Sequence, residues 1–215
     1  METPKAIIFD IDGTLSPEIS WTALTRDLGA SVEDHIVIYQ QYKTGQTDYA
    51  GSKRQLLDLW QATGNANKGH FLSLFESWPL VPEASDVVRT LAEKYSICLI
   101  TGSMDLYAQN VARKLQVADY YANTTFSWDE AGNLVDMDYE LDQAKQKLEQ
   151  FLDYCSLHSI KPEDCIIVGD SDNDIALFKA SGRGVAIGSE IPETLGRVSW
   201  RTIQTLDELP ALVTA

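Results

Sequence analysis

No stretch of this 215-residue chain is apolar for anything near the roughly 20 residues that a membrane-spanning helix needs. Basic residues are scarce: Lys+Arg 17 stand against Asp+Glu 32, a net charge of −15. That balance disfavours nucleic acid and anionic membrane surfaces as partners. It also makes any phosphorylated ligand dependent on local positive charge. There are three histidines, His35, His70 and His158, scattered and outside any motif; packing or surface roles are expected of them. The three cysteines, Cys98, Cys155 and Cys165, are odd in number and match no zinc spacing. They read as small buried hydrophobes of a protein kept in a reducing cytoplasm. The N-terminus lacks the basic-then-apolar pattern of a signal peptide, in keeping with that location. No Gly-x-Ser-x-Gly elbow, Walker-type loop or Gly-x-Gly-x-x-Gly turn occurs, which removes the hydrolase and nucleotide-binding classes built on them.

What the chain does have is alternation. Strand-like apolar runs at 6–10, 96–101, 165–169 and 184–187 are separated by helical patterns at 83–94, 106–115, 141–157 and 175–180. This pattern predicts an α/β fold with a doubly wound, Rossmann-like parallel sheet. Two segments interrupt it. Residues 18–79 hold helical patterns at 21–28, 32–42 and 49–60, punctuated by Gly29, Gly45 and Gly64, and no convincing strand pair. They read as a helical insertion, a lid over the carboxyl edge of the sheet. The α/β core is then 1–17 with 80–215. Residues 125–139 read as a hairpin around Gly132.

The chemistry-bearing residues gather at strand ends. The first apolar run stops on Asp10 and Asp12, followed by Gly13-Thr14. Two carboxylates at i and i+2 repel unless a cation or a proton intervenes, and a hard divalent metal is the simplest intervention. The run 165–169 ends the same way, on Asp170, Asp172 and Asp174. Position six of that acidic loop is not glycine, so a calcium loop is disfavoured, and a metal site shared with Asp10 fits better. The run 96–101 ends on Thr101-Gly102-Ser103 ahead of a helix, where free N–H groups attract an anion and where Ser103 would equally serve as an N-cap. Lys145 and Lys147 begin the helix before the third run; one of them is expected to turn inward to meet a phosphate.

In this order and spacing the segments resemble the haloacid dehalogenase superfamily, with its D-x-D-G-T motif, a Thr or Ser ending the second strand, a lysine, and a G-D-x3-D motif. The position of the insertion resembles the C1 cap, and the style of the last motif resembles the phosphoserine phosphatase branch. The resemblance implies a phosphatase. Asp10 would be the nucleophile that forms an aspartyl phosphate, and Asp12 the acid and then the base. Mg2+ would be held by Asp10, the Asp12 carbonyl, Asp170 and Asp174. Thr101, Gly102 and Lys147 would hold the phosphoryl oxygens, with Asn173 beside them. Asp12 disfavours dehalogenation, which needs no leaving-group acid. Glu18 and Arg54 stand near the family's amino-acid-binding positions, though Glu18 is one residue off the spacing and the expected Arg falls on Leu56. The cap aromatics Trp21, Tyr39, Tyr42, Tyr49 and Trp60 are expected mostly in the bundle core, with one or two lining the pocket. The implied substrate is a small phosphorylated metabolite. Phosphotransfer to an acceptor hydroxyl and a non-catalytic binding role are the alternatives; oligomeric state is not legible.

Overall fold

The computed structural model describes residues 4–140 and 142–214. A seven-stranded sheet lies at the centre, in the order β4-β3-β2-β1-β5-β6-β7. Its strands are β1 (Ala6–Phe9), β2 (Ser96–Met104), β3 (Asp119–Trp128), β4 (Leu134–Tyr139), β5 (Cys165–Gly169), β6 (Gly184–Ile187) and β7 (Arg201–Ile203). All neighbours pair in parallel except β3 and β4, which form the antiparallel hairpin at one edge. The Rossmann-like expectation therefore holds for the middle of the sheet.

β1 shows why its run is apolar throughout. Ile7 and Phe9 face one core cluster with Leu99 and Val168, while Ala6 and Ile8 face a second with Cys98 and Ile167. A strand buried on both faces has no polar alternation. The first face is covered by α5 (Ala84–Ala92) and α6 (Asp105–Leu115), the second by α7 (Gln143–Leu157) and α8 (Ile175–Ser181). The start expected for α7, Leu141, lies outside the described residues. The short helices α9 (Glu193–Gly196) and α10 (Leu209–Thr214) close the C-terminal part.

Between β1 and α5 the chain forms four helices, α1 (Ser20–Asp27), α2 (Val32–Lys43), α3 (Tyr49–Gln61) and α4 (Lys68–Ser77). The sequence predicts the first three. α4 is hidden in the pattern because Phe71 and Phe75 are its only fully buried apolar positions. These two rings join Trp60, Phe126 and Trp128 in one edge-to-face cluster that ties the helices to the hairpin. Each such ring contributes roughly 2–3 kcal/mol by burial. Lys114 Nζ on α6 then binds the backbone oxygens of Glu76 at 2.7 Å and Trp78 at 3.1 Å, anchoring the end of α4.

β3 begins six residues earlier than the hairpin pattern predicts. Its first half pairs with β2, and its partly exposed residues Asp119–Ala122 lack an apolar run. β7 escapes notice as a three-residue edge strand with two exposed positions. Also unpredicted is the length of β2, which continues to Met104. The N-cap of α6 is Met104, without a side-chain cap bond, so Ser103 is not a cap.

His35 is buried in the helical layer, its Nδ1 2.6 Å from Thr25 Oγ1 and its ring edge-on to Trp21 and Trp60. Burial lowers its pKa to about 4. The unfolded chain protonates His near 6.5, so between these values it binds more protons than the folded one. Stability from this group is present above about pH 6.5 and is lost as the pH falls toward about 4, by up to roughly 3 kcal/mol. Other groups titrate in the same window, so the measure is a difference. Urea melts at about pH 7 and about pH 4.5 are expected to show a smaller acid loss for His35→Phe than for wild type. Equal losses would contradict this account.

Candidate active site

Three adjacent strands deliver the site. β1 is the switch point, with β2 on one side and β5 on the other, and ligands in open α/β sheets bind at the carboxyl ends of strands around such a point. Asp10 follows β1, Thr101 to Ser103 lie near the end of β2, and Asp170 follows β5. They meet at a cavity of about 160 Å³ lined by Asp10, Asp12, Thr101, Gly102, Asp170 and Asn173 from the predicted set.

Lys147 is the inward lysine. Its side chain is 1% exposed, and its Nζ lies 3.1 Å from Asp10 Oδ1 and 2.7 Å from Asp174 Oδ1. Lys145, two residues earlier and so on roughly the opposite side of α7, is exposed and pairs with Glu149 at 3.7 Å. Burial works against the charge on Lys147, but Asp10 and Asp174 outweigh it and hold the ammonium above its ordinary value. Asp10 Oδ1 also accepts the Ile11 N–H at 2.8 Å.

Asp10, Asp170 and Asp174 place one carboxylate oxygen each within 4.8 Å of one another. Two glycines make that convergence possible. At Gly13, whose φ is +73°, a Cβ would sit 2.2 Å from Asp170 Oδ2; at Gly169 a Cβ would sit 2.2 Å from Asp174 Oδ2. Three carboxylates against one ammonium leave two negative charges uncompensated, the charge of one divalent cation. Burial, with Lys147 opposing, raises the pKa of Asp10 to about 6; burial together with Asp10 and Asp174 raises that of Asp170 to about 7. Asp170 Oδ1 is buried with no hydrogen-bond partner. An oxygen-only donor set with surplus charge and an orphaned oxygen fits a hard cation.

Asp12 lies outside this triad of carboxylates. Burial raises its pKa to about 7, against the opposing hydrogen bond from Ser20. A carboxyl poised near neutrality can both give and take a proton near pH 7.

Thr101 is 1% exposed, and its Oγ1 accepts the Ser103 N–H at 3.1 Å. Asn173 Nδ2 donates to Gln143 Oε1 at 3.2 Å, and that same Oε1 lies against Gly102, 2.9 Å from where a Cβ would be. Gln143 is a wall residue that the sequence reading missed. It stands four residues before Lys147, so the helical period places it on the same face. Trp21 lines the cavity, its Nε1 3.5 Å from the Gly102 oxygen. Trp60 and Tyr49 are packed among other rings, whereas Tyr39 and Tyr42 line an adjoining groove.

The structure does not bring Glu18 and Arg54 to the cavity. Glu18 pairs with Arg26 at 2.8 Å on the surface, and Arg54, 74% exposed, pairs with Asp58 one turn along α3 at 3.0 Å. Arg54 lies on the solvent face of α3, whose inward positions are Leu56, Leu57 and Trp60.

The model of the haloacid dehalogenase-like hydrolases matches residues 4–182, and the chain belongs to that family. Within it, curated relatives are phosphoserine phosphatases. The Albidiferax ferrireducens enzyme is 25% identical over 187 residues, covering 85% of this chain and 78% of its own length. That of Methanocaldococcus jannaschii is 24% identical over 185 residues, covering 85% and 84%. A substrate-bound phosphoserine phosphatase complex superposes with a TM-score of 0.76 at 21% identity, over 99% of both chains, and so shares the fold.

Proposed function

We propose that the chain is a Mg2+-dependent phosphatase that hydrolyses a small-metabolite phosphomonoester through an aspartyl phosphate on Asp10. The observation that carries this reading is one buried lysine shared by Asp10 and Asp174, with Asp12 two residues beyond the nucleophile and tuned near neutrality. Asp10 attacks phosphorus as the ester P–O bond breaks, and Asp12 gives its proton to the departing alkoxide. Asp12 then takes a proton from the water that attacks the aspartyl phosphate, which releases phosphate and restores Asp10. Asp10, Asp170, Asp174 and the Asp12 carbonyl would hold Mg2+. When bound, the ion offsets the repulsion between carboxylate and phosphate. Lys147 balances the charge of Asp10, and Thr101, Gly102 and Asn173 position the phosphoryl group. Residues 18–79 serve as the cap, and the three free thiols suit the cytoplasm.

O-Phosphoserine heads the substrates to test because the relatives bear that name. With Glu18 and Arg54 held elsewhere, its recognition would fall to other side chains. Phosphate release from a panel of phosphorylated metabolites is expected with Mg2+ and lost with EDTA. Release that survives complete chelation would overturn the metal assignment. Turnover only in the presence of an acceptor alcohol would convert the reading to phosphotransfer.

A further inference from the structure

Asp12 Oδ2 accepts two hydrogen bonds from a single residue, the Ser20 N–H at 2.9 Å and the Ser20 hydroxyl at 2.6 Å. Ser20 is the first residue of α1, in the inserted segment. Its Oγ is also within hydrogen-bond distance of Ser103 Oγ on β2. A hydroxyl carries one proton. Ser20 gives its own to the carboxylate, so Ser103 donates to Ser20, and the chain of donors runs Ser103 to Ser20 to Asp12. Both serines are 1% exposed, which shields the relay from solvent. Asp12 Oδ1, by contrast, is buried without a partner.

We propose that Ser20 is a positioning residue for the acid–base carboxyl. It pins Oδ2 and so leaves Oδ1 as the oxygen that exchanges the proton, first with the ester oxygen and then with water. This rests on the role given to Asp12 above. Restricting a carboxyl to one orientation removes a rotation that the proton transfer would otherwise have to wait for. The simpler role is that Asp12 caps α1, whose N-cap Ile19 offers no side-chain acceptor. Capping needs only the Ser20 N–H. The Ser20 hydroxyl and its Ser103 donor are additional, and they are what a substitution can remove.

The test compares kcat/KM for an alkyl phosphomonoester and for p-nitrophenyl phosphate. That parameter reports the steps up to departure of the leaving group. A nitrophenolate departs without a proton and an alkoxide does not. For Ser20→Ala the alkyl value is expected to fall about tenfold or more relative to the aryl value, with Ser20→Thr restoring the ratio. Ser103→Ala is expected to shift the ratio in the same direction by a smaller factor. Equal losses on both esters, or no loss, would overturn the proposal. Asp12→Asn, measured alongside, should widen the ratio further than Ser20→Ala. If it does and Ser20→Ala does not, the positioning role alone fails. If Asp12→Asn leaves the ratio unchanged, the acid–base role fails and takes the Ser20 proposal with it. Should Ser20→Ala not fold, Ser103→Ala decides, and an unshifted ratio there overturns the proposal.

Discussion

Asp10→Asn is expected to lower phosphate release by at least about a thousandfold, the scale of loss when a nucleophile is removed. The substitution keeps the shape of the side chain and an acceptor oxygen, so a large loss isolates the missing carboxylate. Its effect on stability should have the opposite sign. Asp10 is 6% exposed, and burial together with the charge of Asp174 raises its pKa, so ionised Asp10 sits in the fold at a cost. Lys147 keeps Asp174 as a partner at 2.7 Å after the change. In EDTA the variant should therefore melt no lower than wild type. Mg2+ should raise the melting midpoint of wild type more than that of the variant, because one carboxylate of the proposed set is gone. Residual activity above about a tenth of wild type would sink the nucleophile assignment, since removal of a required nucleophile leaves far less. A midpoint well below wild type would show that the Asp10 carboxylate holds the fold together, which the burial argument denies.

Lys147→Met is expected to be as damaging, and through both stability and activity. Methionine preserves the length of the buried stem but leaves Asp10 and Asp174 facing each other without a cation. Breaking a buried ion pair on one side costs about 3–5 kcal/mol. Mg2+ should recover part of that loss by supplying positive charge to the same carboxylates. Lys145→Ala removes only an exposed pair with Glu149 at 3.7 Å, worth less than about 0.5 kcal/mol. Urea melts and phosphate release on the two variants check the contrast. A Lys145 variant as impaired as the Lys147 variant would mean that α7 presents a different face to the site.

The order of the motifs made most of the residues that line the candidate site legible before any geometry was known. An apolar run that ends on an acid marks a strand buried on both faces, and the chain must place polar groups where burial stops. Asp10, Thr101 and Asp170 were readable for that reason. From the helical pattern alone Lys147 was one of two lysines, because helical phase decides which of them turns inward; the family resemblance singled it out, and the packing of α7 shows it buried. The acids at 172 and 174 looked alike in sequence. The family motif picked out Asp174, and the approach of α7 gives the physical reason: Asp174 meets Lys147, whereas Asp172 pairs with Thr194.

The amino-acid sequence by itself determined the α/β class, the strand-end acids and the helical insertion, because burial and period are local properties of the chain. The fold decided which groups touch. Ser20, eight residues beyond Asp12, meets Ser103 only because α1 starts against the end of β2, and no spacing rule encodes that approach across 83 residues. Arg54 faces solvent because the apolar stripe of α3 runs through Leu56, Leu57 and Trp60, so counting from a family pattern could not place it. The tuning of Asp12 toward neutrality likewise follows from burial and from which donors surround it. Those are contacts between distant segments, and they exist only once the sheet and the helices over it have packed.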